Sequence, residues 1–170
     1  MIYEPREDSY LLQKHVRTYA NGKVLDIGTG SGIQALEAME KTKDVLAVDI
    51  DRTAVSYARK QGVNSIQSDL FSNVKGKFDL IIFNPPYLPS DERADDLALT
   101  GGKYGYEILE RFFSKAKFYL NNNGKILIVF SSITGDIEWL AQQYGYSFKK
   151  LEEQSFFFEK IYVYMLELKV

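Results

Sequence analysis

The chain has no cysteine among its 170 residues, which excludes disulfides, thiolate metal sites and a cysteine nucleophile together and is compatible with a reducing compartment. Its one histidine, His15, is too few for a histidine-rich metal site or a Ser-His-Asp triad, so no metal ligand set is expected. His15 continues a helical apolar pattern with Leu11, Leu12 and Tyr19 and reads as a packing or edge residue. An excess of either charge is also missing: 21 Lys and Arg stand against 23 Asp and Glu, a net charge of −2. There is therefore no overall cationic field to gather nucleic acid. Long apolar runs are absent too, and the charged start, "MIYEPREDSY", is neither a secretory signal nor a membrane span. A soluble, cytoplasmic protein is expected.

What is present is ordinary for a globular chain, with 45% hydrophobic and 26% charged residues. The length predicts one domain over residues 1–170. Strand-like and helix-like runs alternate along it. "KVLDIG" (23–28) predicts a strand ending in glycines, and "SGIQALEAMEKT" (31–42) a helix with Ile33, Leu36 and Met39 inward. "DVLAVDI" (44–50) predicts a second strand and "DRTAVSYARKQG" (51–62) a helix with Asp51 as N-cap and Gly62 as its stop. A short strand near 63–67 and a buried one over 78–84 follow. Residues 104–120 predict a helix, with Ile108, Leu109, Phe112, Phe113 and Ala116 at helical spacing and "NNNG" (121–124) ending it. "KILIVFS" (125–131) predicts a strand covered on both faces, 136–144 a helix, and "YSFKKLEEQ" and "FFFEKIYVYMLEL" two closing strands whose aromatics are expected in the core. A further helix is predicted over about residues 7–19. Alternating βαβ units imply a mostly parallel sheet with helices on both faces, whose ligands bind beyond the carboxyl ends of the strands. The long connection at 90–103 has the length of a lid or binding segment.

Two motifs stand at such strand ends. In "LDIGTGSG", Gly28, Thr29, Gly30 and Gly32 form a turn from strand to helix where backbone can pass close to a ligand. The spacing departs from the dinucleotide fingerprint, because Ile33 stands where its last glycine would be. Asp49 closes the second strand, where a carboxylate can accept from both ribose hydroxyls. Asp69 follows the third and could accept from an adenine amino group, with Ile50 and Leu70 covering the ring faces. Asp26, just before the glycines, would repel a pyrophosphate and suits a ligand carrying positive charge. Adenine, ribose and cation are provided for and phosphate is not, which favours S-adenosylmethionine over NAD or ATP.

The second motif is Asn84, Pro85, Pro86 and Tyr87, holding two of the four prolines. Proline donates no backbone hydrogen bond and fixes φ, so the pair ends sheet pairing and holds a rigid turn. The Asn84 side-chain carbonyl and the Pro85 main-chain carbonyl can then grip the two hydrogens of a planar –NH2 group, while Tyr87 offers a flat face. Acceptors on those hydrogens favour the positive charge that grows on nitrogen during methyl transfer.

With Asp26, the glycines, Asp49, Asp69 and the Asn-Pro-Pro-Tyr run in this order, the chain resembles class I S-adenosylmethionine-dependent methyltransferases. It is most similar to the HemK-like glutamine methyltransferases of peptide chain release factors, in their archaeal and eukaryotic branch. "YEPREDSYLL" (3–12) and "ALTGGKYGYEILERFF" (98–113) carry the likeness further. The resemblance implies a Rossmann-like α/β fold, a seven-stranded sheet in order 3-2-1-4-5-7-6 with the last strand antiparallel. It implies cofactor contacts at Ser9, Asp26, Gly28, Asp49, Asp69, Leu70 and Asn84, and a target amide held by residues 84–87. The implied substrate is the glutamine of Gly-Gly-Gln in a release factor, and the implied partner a small zinc-binding activator along a sheet edge. Bacterial members hold the release factor with an extra N-terminal helical domain. No such domain is expected before Tyr3, and recognition is then expected to fall to loops such as 90–103 or to a partner.

Three other readings remain open from the residues. A nucleic-acid amino-methyltransferase acting at adenine N6 or cytosine N4 presents the same planar –NH2, but such enzymes use a basic surface or an added module. A small-molecule methyltransferase is a second, and a cofactor-binding scaffold without turnover a third. An undamaged Asn-Pro-Pro-Tyr run beside an undamaged glycine turn speaks against the scaffold.

Overall fold

A computed structural model describes residues 4–86 and 106–169 of the chain. Its elements, in order, are α1 (Glu7–Tyr19), β1 (Val24–Ile27), α2 (Ile33–Met39), β2 (Val45–Asp49), α3 (Arg52–Lys60), β3 (Ser65–Gln67), β4 (Phe78–Phe83), α4 (Glu107–Ala116), β5 (Leu120–Ser131), α5 (Ile137–Gln143), β6 (Tyr146–Ser155) and β7 (Lys160–Leu168). A single sheet runs in order β3-β2-β1-β4-β5-β7-β6. The first five positions pair in parallel, and β7 is antiparallel to both β5 and β6. The expected fold and strand order are therefore the observed ones.

The central strands are buried on both faces, which is why they read as continuous apolar runs and not as alternation. One face packs Phe71, Phe78, Phe83, Phe112, Phe113 and Tyr146 against α4 and α5. The Phe83 and Phe112 rings lie 4.5 Å apart and the Phe113 and Tyr146 rings 5.6 Å. The Tyr146 hydroxyl donates to the Phe113 carbonyl at 3.0 Å, so the polar tip of a fully buried ring is satisfied. The other face carries α1 and α2 on Val24, Leu80, Ile82, Leu127 and Val163.

Several local expectations need correcting. α2 turns Ala35 and Ala38 inward, with Gln34 and Glu37, whereas Ile33 and Leu36 are only half-buried and Met39 is exposed. Two alanines let this short helix lie close against β1 and β2, and the larger side chains are left at its flank. "NNNG" does not end a helix: α4 stops at Ala116, a 3-10 turn follows over Lys117–Tyr119, and 121–124 belongs to β5. Asn121 is drawn into the sheet because its side chain donates to Asp79 Oδ1 at 2.8 Å, where the β4–β5 register shifts. The last strand begins at Lys160, so Phe156, Phe157 and Phe158 form the hairpin tip and not core. Asp51 does cap α3, accepting from the Thr53 N–H at 2.7 Å, and Gly62 follows the helix at φ +87°.

Candidate active site

β1, β2 and β4 are neighbours in the sheet, so the turns after Ile27, Asp49 and Phe83 open at one end of it. The chain leaves β1 through Gly28 at φ +67° and Gly30 at φ +51°, a region that glycine enters without the steric penalty a Cβ brings. A Cβ on Gly28 would stand 3.8 Å from the Phe83 ring and 4.0 Å from the Asn84 carbonyl oxygen, filling the gap between the two turns. Gly32 leads into α2 at φ +84°.

Carboxylates surround this gap. Asp26 is buried, and its Oδ2 accepts from the Thr29 hydroxyl at 2.6 Å. Burial pushes its carboxyl up to about 7, partly offset by the Thr29 hydrogen bond, with the nearby Asp49 charge adding to the rise. Asp49 Oδ2 accepts from the Gly30 N–H and Oδ1 from the Asp51 N–H, each at 2.9 Å. Burial raises the Asp49 carboxyl, and these backbone donors oppose it. Each oxygen keeps a further lone pair for a ligand hydroxyl. Asp69 is half-exposed and its Oδ2 takes a 2.7 Å contact from the Arg111 guanidinium of α4. Leu70 is held at φ +48°, and Ile50 is 64% exposed at the mouth of the site.

Asn84 follows β4 directly, half-buried, with Pro85 buried and Pro86 half-buried after it. The Asn84 amide nitrogen faces Asp8 Oδ2 at 3.3 Å and Ser9 Oγ at 3.4 Å. A carboxylate oxygen only accepts, so the –NH2 end of Asn84 must turn toward Asp8 and the carbonyl end away from it. Asp8 is itself fixed: its Oδ1 accepts from the Ser9 N–H at 2.6 Å and from the Ser9 hydroxyl at 3.1 Å. α1 is clamped over the site by Gln34, which donates to the Ser9 carbonyl at 2.8 Å, and by Arg17, which forks onto Glu37 at 2.6 and 3.2 Å.

The structure thus brings Ser9 to Asn84, Asn84 to Gly28, Asp26 to Thr29 and Asp49 to Gly30 at one end of the sheet, with Gly32, Ile50, Asp69 and Leu70 along the neighbouring turns. Tyr87 and the connection 90–103 lie outside the described residues. Two residues had no signal of their own in the sequence. Asp8 is visible only through Asn84, 76 positions away, and Arg111 only through Asp69, 42 positions away. His15 takes no part: its Nε2 meets Glu152 Oε2 at 2.6 Å beside α1.

The donor set suits a nucleoside bearing a cation. Three carboxylates and a glycine turn could hold hydroxyls, an amino group and a positive centre, and the turn from Gly28 to Gly32 carries no basic side chain for phosphate.

Comparison with known proteins shows the family. The family described as Methyltransferase small domain matches residues 7–158. A protein of Methanocaldococcus jannaschii, provisionally named a protein N5-glutamine methyltransferase, is 41% identical over 160 residues, covering 87% of this chain and 81% of that protein. A release factor glutamine methyltransferase of Deinococcus radiodurans is 32% identical, covering 70% of this chain and 49% of that protein, so the chain spans about half the length of that bacterial relative. Among solved structures, the E. cuniculi Mtq2–Trm112 complex, responsible for methylation of the eRF1 translation termination factor, matches with a TM-score of 0.82. It is 25% identical and covers 99% of both chains.

Proposed function

We propose, from the premise that this chain belongs to the methyltransferase small domain family, that it methylates N5 of the glutamine side chain in the Gly-Gly-Gln tripeptide of a peptide chain release factor. The observation that carries this reading is the Asn84 amide, whose nitrogen is turned toward Asp8 and Ser9 so that its carbonyl oxygen is left for a substrate. S-adenosylmethionine, held by Ser9, Asp26, Gly28, Thr29, Gly30, Gly32, Asp49, Ile50, Asp69, Leu70 and Asn84, supplies an electrophilic methyl carbon. Asp49 accepts from the ribose hydroxyls, Asp69 from the adenine amino group, and Asp26 favours the positive end of the molecule.

A glutamine amide nitrogen is a poor nucleophile because its lone pair is conjugated with the carbonyl. Asn84 Oδ1 and the Pro85 carbonyl oxygen accept its two hydrogens, which localises electron density on nitrogen and holds it in line for attack. As the N–C bond forms and the methyl–sulfur bond breaks, S-adenosylhomocysteine leaves as a neutral thioether, and the positive charge passed to nitrogen is met by two fixed dipoles that need no reorganisation. Pro86 stiffens the turn, and the flat ring of Tyr87, outside the described residues, suits the amide plane. One proton then passes from the strongly acidic N-methylated nitrogen to water, so no strong base is required beforehand.

A small zinc-binding partner along a sheet edge belongs to the same reading, since the Mtq2 relative was solved with Trm112. β3 and β6 are the two edges, and β3 is only three residues long. A release factor substrate places the work in the cytoplasm. Among the described residues no helix is long and apolar enough to cross a membrane.

The test is transfer of labelled methyl from S-adenosylmethionine to a purified class I release factor, with and without a Trm112-type protein, read by mass spectrometry of the Gly-Gly-Gln peptide. A methyl on that glutamine is the expected result. Label in RNA or DNA and none in the release factor would move the assignment to an amino-methyltransferase of nucleic acid.

A further inference from the structure

The β6–β7 hairpin ends in three consecutive phenylalanines, and two of them are almost wholly in water: Phe157 is 91% exposed and Phe158 87%. Their rings stack edge to face at 4.5 Å, which makes them one apolar knob. The knob is held firmly. The Phe156 N–H donates to the Glu159 carbonyl at 2.8 Å across the turn, and the Ser131 hydroxyl donates to the Glu159 carboxylate. Lys160 and Ser132 exchange backbone and side-chain hydrogen bonds at 2.8 and 3.0 Å. Among the described residues, exposure of so much aromatic surface on a braced turn has no folding rationale, because neither ring belongs to either core cluster.

The register fixes where the knob stands. β4 pairs with β5 up to Phe83 and Ile128, and β5 pairs with β7 up to Ser131 and Ile161. Asn84 is thus level with Val129, and the hairpin continues outward past Ser131 on the same side of the sheet as the active site. At strand spacings the tip lies about 16 Å further out than Asn84 and about 10 Å to its side. A side chain there cannot touch the reacting amide or the cofactor. It can touch only a substrate large enough to span roughly 20 Å, the reach of about six extended residues.

We propose that Phe157 and Phe158 are a docking knob for the polypeptide substrate, inserting into an apolar patch on the release factor about 20 Å from the methylated glutamine. This rests on the protein-substrate reading above. Charge favours a protein over nucleic acid here. Lys150 and Lys160 are both bound to Glu153 at 2.8 Å, and Glu159 places a further carboxylate in the turn itself, while Glu152 is already paired with Lys14 and His15. Phosphates would find no free cation on those two lysines and a further carboxylate, Glu159, in the turn. An apolar surface loses nothing by meeting them, and aromatic anchors of this kind dominate binding when buried.

The test compares wild type with the Phe157→Ser, Phe158→Ser double variant on two substrates, an intact release factor and a peptide of about five residues centred on the Gly-Gly-Gln glutamine, which is too short to reach the tip. The expected result is a KM for the release factor raised about tenfold or more, kcat unchanged, and kcat/KM for the peptide unchanged. Unchanged kinetics on the release factor would overturn the proposal. An equal loss on both substrates would overturn it as well, by showing that the tip acts on the fold or the active centre. So would a wild-type dimer that the variant abolishes, or RNA binding lost in the variant, with release factor kinetics intact. No methyl transfer by wild type to either substrate, with a Trm112-type protein present, would instead sink the underlying functional reading, and the docking role with it.

Discussion

Asp8, near the start of α1, accepts from the side-chain amide of Asn84, at the end of β4, at 3.3 Å. The contact decides which end of the Asn84 amide a substrate meets. Asn84→Ala removes the acceptor and is expected to lower kcat about 10²- to 10³-fold, with the cofactor dissociation constant changed only a few-fold. Asp8→Asn leaves shape and volume nearly intact but offers Asn84 both a donor and an acceptor, so the amide is no longer forced one way round. About a tenfold fall in kcat is expected, with KM for the release factor unchanged. Steady-state kinetics beside calorimetric cofactor titration separate the two effects. A loss confined to cofactor affinity would place Asp8 in binding and not in orientation.

Asp26 gives the site a pH signature. Its carboxyl is raised by burial from 3.8 to about 7 in the ligand-free protein, so below that pH it is neutral there. A cationic ligand favours the ionised form, so cofactor binding in the acid range must release a proton. Affinity is expected to rise with pH, up to about tenfold per unit below 7, and to level off above it. The stability effect has the opposite sign. Between 3.8 and about 7 the folded protein holds a proton that the unfolded chain has lost, so stability falls as pH rises through that window. The fall is on the order of 4 kcal/mol. Asp26→Asn should weaken both dependences, leaving the part due to the Asp49 carboxyl that burial also raises, and urea unfolding of the ligand-free protein at several pH values would show it. A variant as pH-dependent as wild type would remove Asp26 from the explanation.

How far the sequence could be read depended on whether a signal was local. Asp51 capping α3 and Gly62 following it are contacts within one turn, and the apolar runs of β1, β4 and β5 report burial on both faces directly. The glycine turn and the Asn-Pro-Pro-Tyr run announce themselves because they break the pattern of the strands they end. Side-chain partners across the sheet were not legible, since Asp8 finds Asn84 only when α1 folds back over β4. The hairpin failed for a different reason. Phe156, Phe157 and Phe158 continue smoothly into "EKIYVYMLEL", and a run of aromatics reads as strand and core wherever the turn falls. Only the pairing of Ser155 with Lys160 shows that the three residues lie outside the sheet. In α2 the large apolar residues drew attention from the alanines, whose small size is what lets the helix approach.

Two glycines with similar φ should respond in different ways. At Gly22, φ +60°, a Cβ would stand 2.2 Å from Asp79 Oδ2, the oxygen that accepts from the Lys23 N–H at 2.7 Å. Gly22→Ala therefore breaks the tie at the start of β1, at the end of the sheet away from the active site. A loss of about 2 to 3 kcal/mol in unfolding free energy is expected, with cofactor affinity intact once folded. At Gly28, φ +67°, a Cβ meets nothing closer than 3.8 Å. Gly28→Ala should cost only about 1 kcal/mol of backbone strain and yet weaken cofactor binding severely, because the methyl group enters the gap between the β1 and β4 turns. Thermal unfolding and cofactor titration on both variants give the crossed pattern, and equal losses in both would contradict it.

Asp69 and Arg111 divide their work at the far side of the site. Their contact, 2.7 Å between groups 44% and 56% exposed, contributes little to folding. Arg111→Ala should leave unfolding free energy within about 0.5 kcal/mol of wild type. Arg111 occupies Oδ2, and under the proposed function Oδ1 is then the oxygen that accepts from an adenine amino group. Asp69→Ala removes that acceptor and is expected to weaken S-adenosylmethionine about tenfold or more. Arg111→Ala only loosens its aim and should cost a few-fold. Replacing adenosine with inosine in the ligand replaces the amino donor with a carbonyl that faces the carboxylate. The wild type should then lose most of its affinity, and Asp69→Ala should lose almost none that it still has. A wild type indifferent to that replacement would detach Asp69 from base recognition and leave its pairing with Arg111 as a surface contact.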